Sequence, residues 1–184
     1  MPRRCLITLF VALLCAGAVR AQQPATQPAT PPASAPATAP AATVPAAAPG
    51  AGAAATPEQL AAGKGIYMMT CFACHQITGA GLPPVFPPLI KSPYVSGSAE
   101  RLVAIILKGN IGPFTIDGKP YNNVMPPQEA MLTDDKIAAV STYVRSSFGN
   151  SAPPVTAELV AATRKKFTDR KTAWTQAELD AWKD

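Results

Sequence analysis

The stretch CFACH, residues 71–75, decides how the rest of this sequence is interpreted. It places two cysteines three positions apart and follows them with the only histidine of the chain. Such a set of side chains has three chemical interpretations: a redox-active cysteine pair, a directly coordinated metal ion, or the attachment site of a covalently bound cofactor. The surrounding sequence distinguishes among the three.

The first 21 residues have the pattern of a secretory signal peptide. Arg3 and Arg4 precede an apolar run of 15 residues at 5–19, and small side chains around Ala21 suit a cleavage site. A membrane span takes about 20 apolar residues, so we expect residues 1–21 to be cleaved after export. If they were retained instead, they would anchor the protein to a membrane.

Removal of this segment changes the charge and the cysteine content. The full chain has 16 basic and 11 acidic side chains, a net charge of +5, and three of its arginines lie in the signal segment. The remaining 13 basic side chains give a net charge of +2, which does not favour nucleic acid as a partner because such binding neutralises many phosphates. Cys5 and Cys15 also leave, so no further cysteine accompanies Cys71 and Cys74.

The mature chain divides by composition into three parts. Residues 22–55 are almost entirely Ala, Pro, Thr and Gln, without aromatic or charged side chains, and predict a disordered linker. Residues 56–150 predict the folded domain, and residues 151–184 a C-terminal helical extension with two short helices. The basic side chains at 164–171 in this extension predict a solvated helix face.

The folded domain is predicted to be all-α. Capping residues and a periodicity of about 3.6 residues indicate helices at 57–71, 98–108 and 133–148. No segment between them alternates apolar and polar residues in the manner of a strand. The loops are long for a compact domain, and a large cofactor that they surround would account for them.

Covalent haem attachment explains CFACH best. A redox cysteine pair is expected beside a strand–helix–strand unit, which this sequence does not predict. A structural zinc ion needs four ligands, and neither Cys nor His remains to complete the set. C-x-x-C-H is the attachment pattern of c-type haem. Cys71 and Cys74 would each form a thioether with one vinyl group, and His75 would bind the iron.

The second axial ligand of that iron is expected to be a methionine, because the chain has no second histidine. Met68 and Met69 precede the cysteines on the same helix and cannot reach the other face of the haem. Met125 lies in a predicted loop before two prolines, which restrict its backbone. Met131 and a purely structural role for Met125 remain as alternatives.

The sequence resembles the class I, mono-haem c-type cytochromes. Four segments carry the resemblance in the family's order: GKGIYMMTCFACHQ, FPPL, VMPPQ and IAAVSTYVRSSFGN. They span about residues 57–150. The resemblance implies a small all-α fold around one haem c, with Cys71 and Cys74 as covalent attachment sites and His75 and Met125 as axial ligands.

The resemblance also implies two packing features. The carbonyl of Pro87 would accept a hydrogen bond from the ring of His75 and fix its orientation. Gly63 and Tyr67 would pack against the last helix of the domain near Tyr143.

The function implied is that of a periplasmic single-electron carrier without catalytic residues, in a Gram-negative-type envelope. The C-terminal end is similar to cytochrome subunits that accompany periplasmic dehydrogenases, which suggests a dehydrogenase or a terminal oxidase as redox partner. The alternative is a gas sensor or a peroxidase-like enzyme with an open sixth position on the iron. Peroxide chemistry would call for a distal histidine or arginine, and Arg101 and Arg145 are both expected on helix surfaces.

Overall fold

The computed structural model describes residues 54–183, so the predicted signal peptide and nearly all of the predicted linker lie outside the described residues. Its elements are α1 (Pro57–Thr70), α2 (Phe72–His75), α3 (Pro93–Ser96), α4 (Ala99–Lys108), β1 (Asn110–Ile116), β2 (Lys119–Met125), α5 (Asp134–Ser146), α6 (Ala157–Lys166) and α7 (Gln176–Asp180). Across this part of the chain, no helix combines the length and apolarity that a membrane crossing requires.

The longer helices begin at the residues that local chemistry predicts. The Thr56 hydroxyl accepts a hydrogen bond from the N–H of Gln59, the third residue of α1. The Gln59 side chain in turn accepts from the Thr56 N–H, which completes a capping box. The hydroxyls of Ser98 and Thr133 cap α4 and α5 by accepting from the N–H of the third helical residue. Helix α5 ends at Ser146, two residues before its predicted end, because the chain turns into a positive φ of 59° at Phe148.

The core is built on the crossing of α1 and α5. Gly63 lies at the crossing, facing the backbone of Ala139 and the side chain of Tyr143. The fully buried Tyr67 places its ring 5.5 Å from that of Tyr143 and 5.2 Å from that of Phe148, between ring centroids. The packing implied by the family resemblance is therefore confirmed. Helix α4 completes the core, and its last seven residues are all buried.

The expectation of an all-α domain is wrong in one respect, because β1 and β2 form an antiparallel hairpin. Asp117 and Gly118 connect the strands with φ values of 50° and 73°, as the type I′ turn favoured by Asp-Gly requires. Pro113 and Pro120 lie within the strands and obscure the pattern, since proline lacks an N–H for the ladder. The hairpin tolerates them because two-stranded ladders leave one edge of each strand free.

The C-terminal extension forms the two predicted helices and packs against the rest of the described domain. One consequence is that Arg145 is buried, although its position on α5 predicted a surface residue. Its guanidinium donates to three backbone carbonyls, those of Val95, Gly97 and Pro153. The chain after α5 covers this face of the helix, which no local pattern in α5 indicates.

The basic side chains of the extension are less solvated than predicted. Three of them form ion pairs: Arg164 with Asp134, Lys166 with Glu100 and Arg170 with Glu178. Lys165 and Lys171 are exposed, as expected. Most of the positive charge in this stretch is therefore engaged within the molecule.

Candidate functional site

An apolar cleft brings together the four side chains singled out from the sequence. Cys71, Cys74, His75 and Met125 all line it, and part of it is open to solvent. The remaining walls come mainly from apolar residues of the hairpin, of α4 and α5, and of the loop at 85–87.

The junction of α1 and α2 sets the geometry of CFACH. The Cys71 carbonyl accepts hydrogen bonds from the N–H groups of Cys74 and His75, at 3.2 and 3.0 Å, so the three residues share one helical turn. Both cysteines are free thiols and partly buried. Burial, and to a smaller extent the neighbouring Cys74, raises the pKa of the Cys71 thiol to about 11, so this thiol stays protonated at neutral pH.

His75 is held in one tautomer by the backbone. Its Nδ1 lies 3.0 Å from the carbonyl oxygen of Pro87, which confirms the expected contact. A carbonyl can only accept, so Nδ1 carries the hydrogen and Nε2 keeps its lone pair. Burial lowers the pKa of His75, and the Pro87 hydrogen bond opposes this shift. The result is a neutral imidazole with one nitrogen available to a metal.

The residue after His75 is held by a second buried group. Gln76 has a positive φ of 62°, and the hydroxyl of Tyr67 donates to its carbonyl oxygen. Burial raises the pKa of Tyr67 above its ordinary value, so the hydroxyl remains a donor over the whole physiological range. This contact ties the α1–α5 core directly to the CFACH turn.

The sequence suggested that Met125 lies in a loop. The structure instead makes it the last residue of β2. The hairpin pairs it with Asn110 and thereby carries it to the wall of the cleft. Met131, the alternative, is 73% exposed, and the residues that line the cleft do not include it. Of these two methionines, the structure brings only Met125 together with the CFACH residues.

Gln128 was missed by the sequence analysis. It lines the cleft, and its Nε2 donates to the carbonyl of Pro126 at 2.9 Å. Its Oε1 is buried without a hydrogen-bond partner among residues 54–183. A glutamine in a Pro-rich loop is usually solvated, so the sequence contained no signal for this placement.

The side chains of the cleft fit a covalently bound haem. A neutral imidazole nitrogen and a thioether are suitable axial ligands for haem iron, and two thiols are available for attachment. The apolar walls match an apolar macrocycle. Among the described residues, no cluster of three or more His, Cys, Asp or Glu side chains could hold a bare metal ion.

Comparison with known proteins agrees with this chemistry. The cytochrome c family model matches residues 60–148, which include CFACH and Met125. Cytochrome c-552 of Thermus thermophilus is 36% identical over 119 residues, covering 59% of this chain and 89% of that protein.

Two further relatives are cytochrome subunits of dehydrogenases. The gluconate 2-dehydrogenase cytochrome c subunit of Pantoea cypripedii is 34% identical over 109 residues, or 58% of this chain and 24% of the relative. The cytochrome c subunit of the quinone-type alcohol dehydrogenase of Gluconobacter oxydans is 33% identical over 93 residues, or 50% of this chain and 19% of the relative. The similarity to both subunits is thus limited to a small part of their length. The chain belongs to the cytochrome c family as a class I c-type cytochrome, a family that binds haem c covalently and transfers electrons.

Proposed function

We propose that this cytochrome is a periplasmic carrier of single electrons between a donor dehydrogenase and a downstream acceptor. It would hold one haem c through thioethers to Cys71 and Cys74, with His75 and Met125 as the axial ligands. The observation that carries the proposal is that these four side chains, from two distant parts of the chain, line one apolar cleft.

The two cysteines would provide attachment. Each thiol would add across one vinyl double bond, with sulfur going to one carbon and hydrogen to the other, so that no atom is lost and no oxidant is needed. The hydrogen bonds from Cys74 and His75 to the Cys71 carbonyl keep the two sulfurs and the imidazole on one rigid turn. Attachment at two points would also fix the position of the iron relative to His75.

The axial ligands would stabilise the iron in both of its oxidation states. When bound, the haem supplies an iron that exchanges one electron between the ferrous and ferric forms. His75 is held by the Pro87 carbonyl at 3.0 Å, and Met125 by the hairpin register, so neither ligand has to move when the charge changes. The soft thioether of methionine raises the reduction potential, and the apolar walls of the cleft act in the same direction by disfavouring added charge.

The rim of the cleft is suited to contact with a redox partner. Ile111 and Val124 are cross-strand partners on the exposed face of the hairpin, and Val85 is exposed and lines the cleft together with Val124. We call these three residues the neutral rim. No charged residue occurs between Gly65 and Ile90, so a partner would meet apolar and uncharged surface there. Such contact depends on apolar burial, which is largely insensitive to salt.

The sequence and the relatives support the remaining parts of the proposal. The pattern of residues 1–21 supports export to the periplasm. The relatives named as dehydrogenase subunits support a dehydrogenase as electron donor, although they match only part of their length. A terminal oxidase is the expected acceptor class. A peroxidase-like enzyme is not favoured, because the described residues lining the cleft include no arginine and no histidine besides His75. A gas sensor with an open sixth position is not favoured, because Met125 lines the same cleft.

The axial ligand provides the test of the proposal. A methionine sulfur bound to ferric haem gives a weak far-red charge-transfer band. We expect the oxidised protein to show this band, Met125→Ala to abolish it, and Met131→Ala, the matched control, to retain it. Denatured protein should keep haem stain on a gel, because the thioethers survive unfolding. The proposal is wrong if the stain is lost in acid and organic solvent, or if Met131→Ala is the variant that abolishes the band.

A further inference from the structure

The segment that follows Met125, residues 126–133, contains neither helix nor strand, and we call it the ligand segment. Its middle is attached to the end of α4, where the N–H groups of Gln128 and Glu129 donate to backbone carbonyls at 2.9 and 3.3 Å. The nearly buried Nζ of Lys108 adds an ion pair to Glu129 at 2.6 Å. These contacts hold one side of the ligand segment, and the C-terminal extension holds the other.

Arg164 of α6 binds the ligand segment with two groups of its side chain and the start of α5 with a third. Its Nη1 donates to the carbonyl of Glu129 at 2.8 Å and its Nη2 to the carbonyl of Leu132 at 3.0 Å. Its Nε donates to the carboxylate of Asp134 at 2.7 Å, in the first turn of α5. Leu132 is itself buried and lines the cleft. The planar guanidinium thus joins the ligand segment to the helix that follows it.

Trp174 supports the strand opposite Met125. It continues the free edge of β1, donating its N–H to the Gly109 carbonyl at 3.0 Å and accepting from the Ile111 N–H at 2.8 Å. Its buried indole N–H donates to a backbone carbonyl of α4 at 3.0 Å. Asn110 lies between Gly109 and Ile111, the two residues that Trp174 contacts, and it is also the residue that pairs with Met125 across the hairpin.

We propose that the C-terminal extension braces the axial ligand, with Arg164 and Trp174 as positioning residues that keep the Met125 sulfur on the iron. The inference rests on the proposed ligation by Met125. Motion of the ligand segment or of β1 would displace the sulfur, and the extension ties each of them to the core. Without the brace, the sixth position would open more often to outside ligands, which would make a carrier behave more like a sensor.

Carbon monoxide reports this opening, because it binds ferrous iron only where the sixth position is free. Arg164→Ala should raise the rate of carbon monoxide binding to the reduced protein about tenfold or more, the change expected when a charged donor's hydrogen bonds are lost. The far-red band of the oxidised variant should fade at temperatures where the far-ultraviolet circular dichroism is still native. Amide exchange at Gln128 and Glu129 should also quicken. Lys165→Ala, which changes the exposed neighbour of Arg164 on α6, is the matched control and should alter none of these.

Arg164→Lys is the second variant, and it keeps the test valid if Arg164→Ala does not fold. A lysine can still pair with Asp134 but presents no fork to bind both carbonyls, so its effect should be intermediate. If both variants lower the unfolding temperature while the band and the binding rate of the folded protein match wild type, the extension only stabilises the fold and the brace is refuted. A wild-type protein that lacks the far-red band would instead overturn the ligation by Met125, and the brace with it.

Discussion

Replacing Gly63 by alanine should destabilise this cytochrome, although alanine is the better helix former. A Cβ at Gly63 would lie 2.2 Å from the carbonyl oxygen of Ala139 and 2.7 Å from the Cβ of Tyr143. Ordinary contacts lie at 3.4–4 Å, so α1 and α5 would have to separate by about an ångström. Gly65, two residues further along α1, offers a matched control because a Cβ there would meet no atom within 4 Å.

Two opposing effects set the size of the change. Alanine in place of glycine within a helix gains about 0.8–1.0 kcal/mol. Overpacking a close contact costs about 1–3 kcal/mol, and the upper end applies at Gly63 because the main obstacle is backbone that cannot rotate away. We therefore expect Gly63→Ala to lose about 2 kcal/mol, whereas Gly65→Ala should gain up to about 1 kcal/mol. The difference of about 3 kcal/mol is roughly a hundredfold in the unfolding equilibrium constant.

Urea unfolding of the haem-loaded proteins, followed by far-ultraviolet circular dichroism, measures both free energies. The comparison between the two alanine variants removes the contribution of helix propensity and of the unfolded chain, which both substitutions share. Gly63→Ala should also shift the near-ultraviolet signal of the buried Tyr67, whose ring packs across the same crossing. If Gly63→Ala proves as stable as Gly65→Ala, the two helices do not depend on the close approach and the reasoning is refuted.

Three further predictions concern the rim, the turn and the extension. The rate of electron transfer with a dehydrogenase partner, measured by stopped flow, should change little between low and physiological ionic strength. Val124→Glu should slow it about tenfold, because the introduced charge must be desolvated on binding. A steep loss of rate with salt would contradict this prediction. Gly118→Ala should lower the free energy of unfolding in urea by about 1 kcal/mol, and Gly118→Asn should lower it less, because φ at this position is +73° and asparagine tolerates that region. Equal losses would refute the turn assignment. Arg145→Ala should lower the free energy of unfolding by about 3 kcal/mol, because it leaves three carbonyls without their donor. Lys165→Ala, the exposed control, should change it by no more than about 0.5 kcal/mol. Similar values for both variants would mean that the buried hydrogen bonds contribute little.

Features encoded by neighbouring residues were predictable from the sequence. The cap at Thr56 depends on a residue three positions away, and the start of the first helix at residue 57 was predicted correctly. The same holds for the CFACH turn, whose hydrogen bonds span three and four residues. The expected proximity of Met125 to His75 is non-local, and it came from the chemistry of haem ligation, since no periodicity in the sequence indicates it.

The hairpin and the burial of Arg145 were not predicted, for different physical reasons. The hairpin had a local signal, Asp117-Gly118, but two prolines and one further glycine in the flanking strands concealed it. Arg145 had no local signal, because its burial depends on chain that follows α5 and folds back over it. The first error lies in the interpretation of the sequence, and the second reflects information that a local pattern does not contain.

Arg164 lies between these cases, and its role was partly visible in the sequence. The run Arg164-Lys165-Lys166 looks like one solvated basic patch when only its charge is considered. Helical spacing separates its members, because Arg164 lies one position after Thr163 and four after Val160, both of which α6 buries. Lys165 falls outside this stripe and is exposed. A basic residue at the edge of a buried stripe can direct its charged end to backbone carbonyls while its stem covers apolar surface, and Arg164 does so against the ligand segment. Position on the helix, more than charge, therefore distinguishes the side chain that we propose to hold the axial ligand from the neighbours that meet solvent.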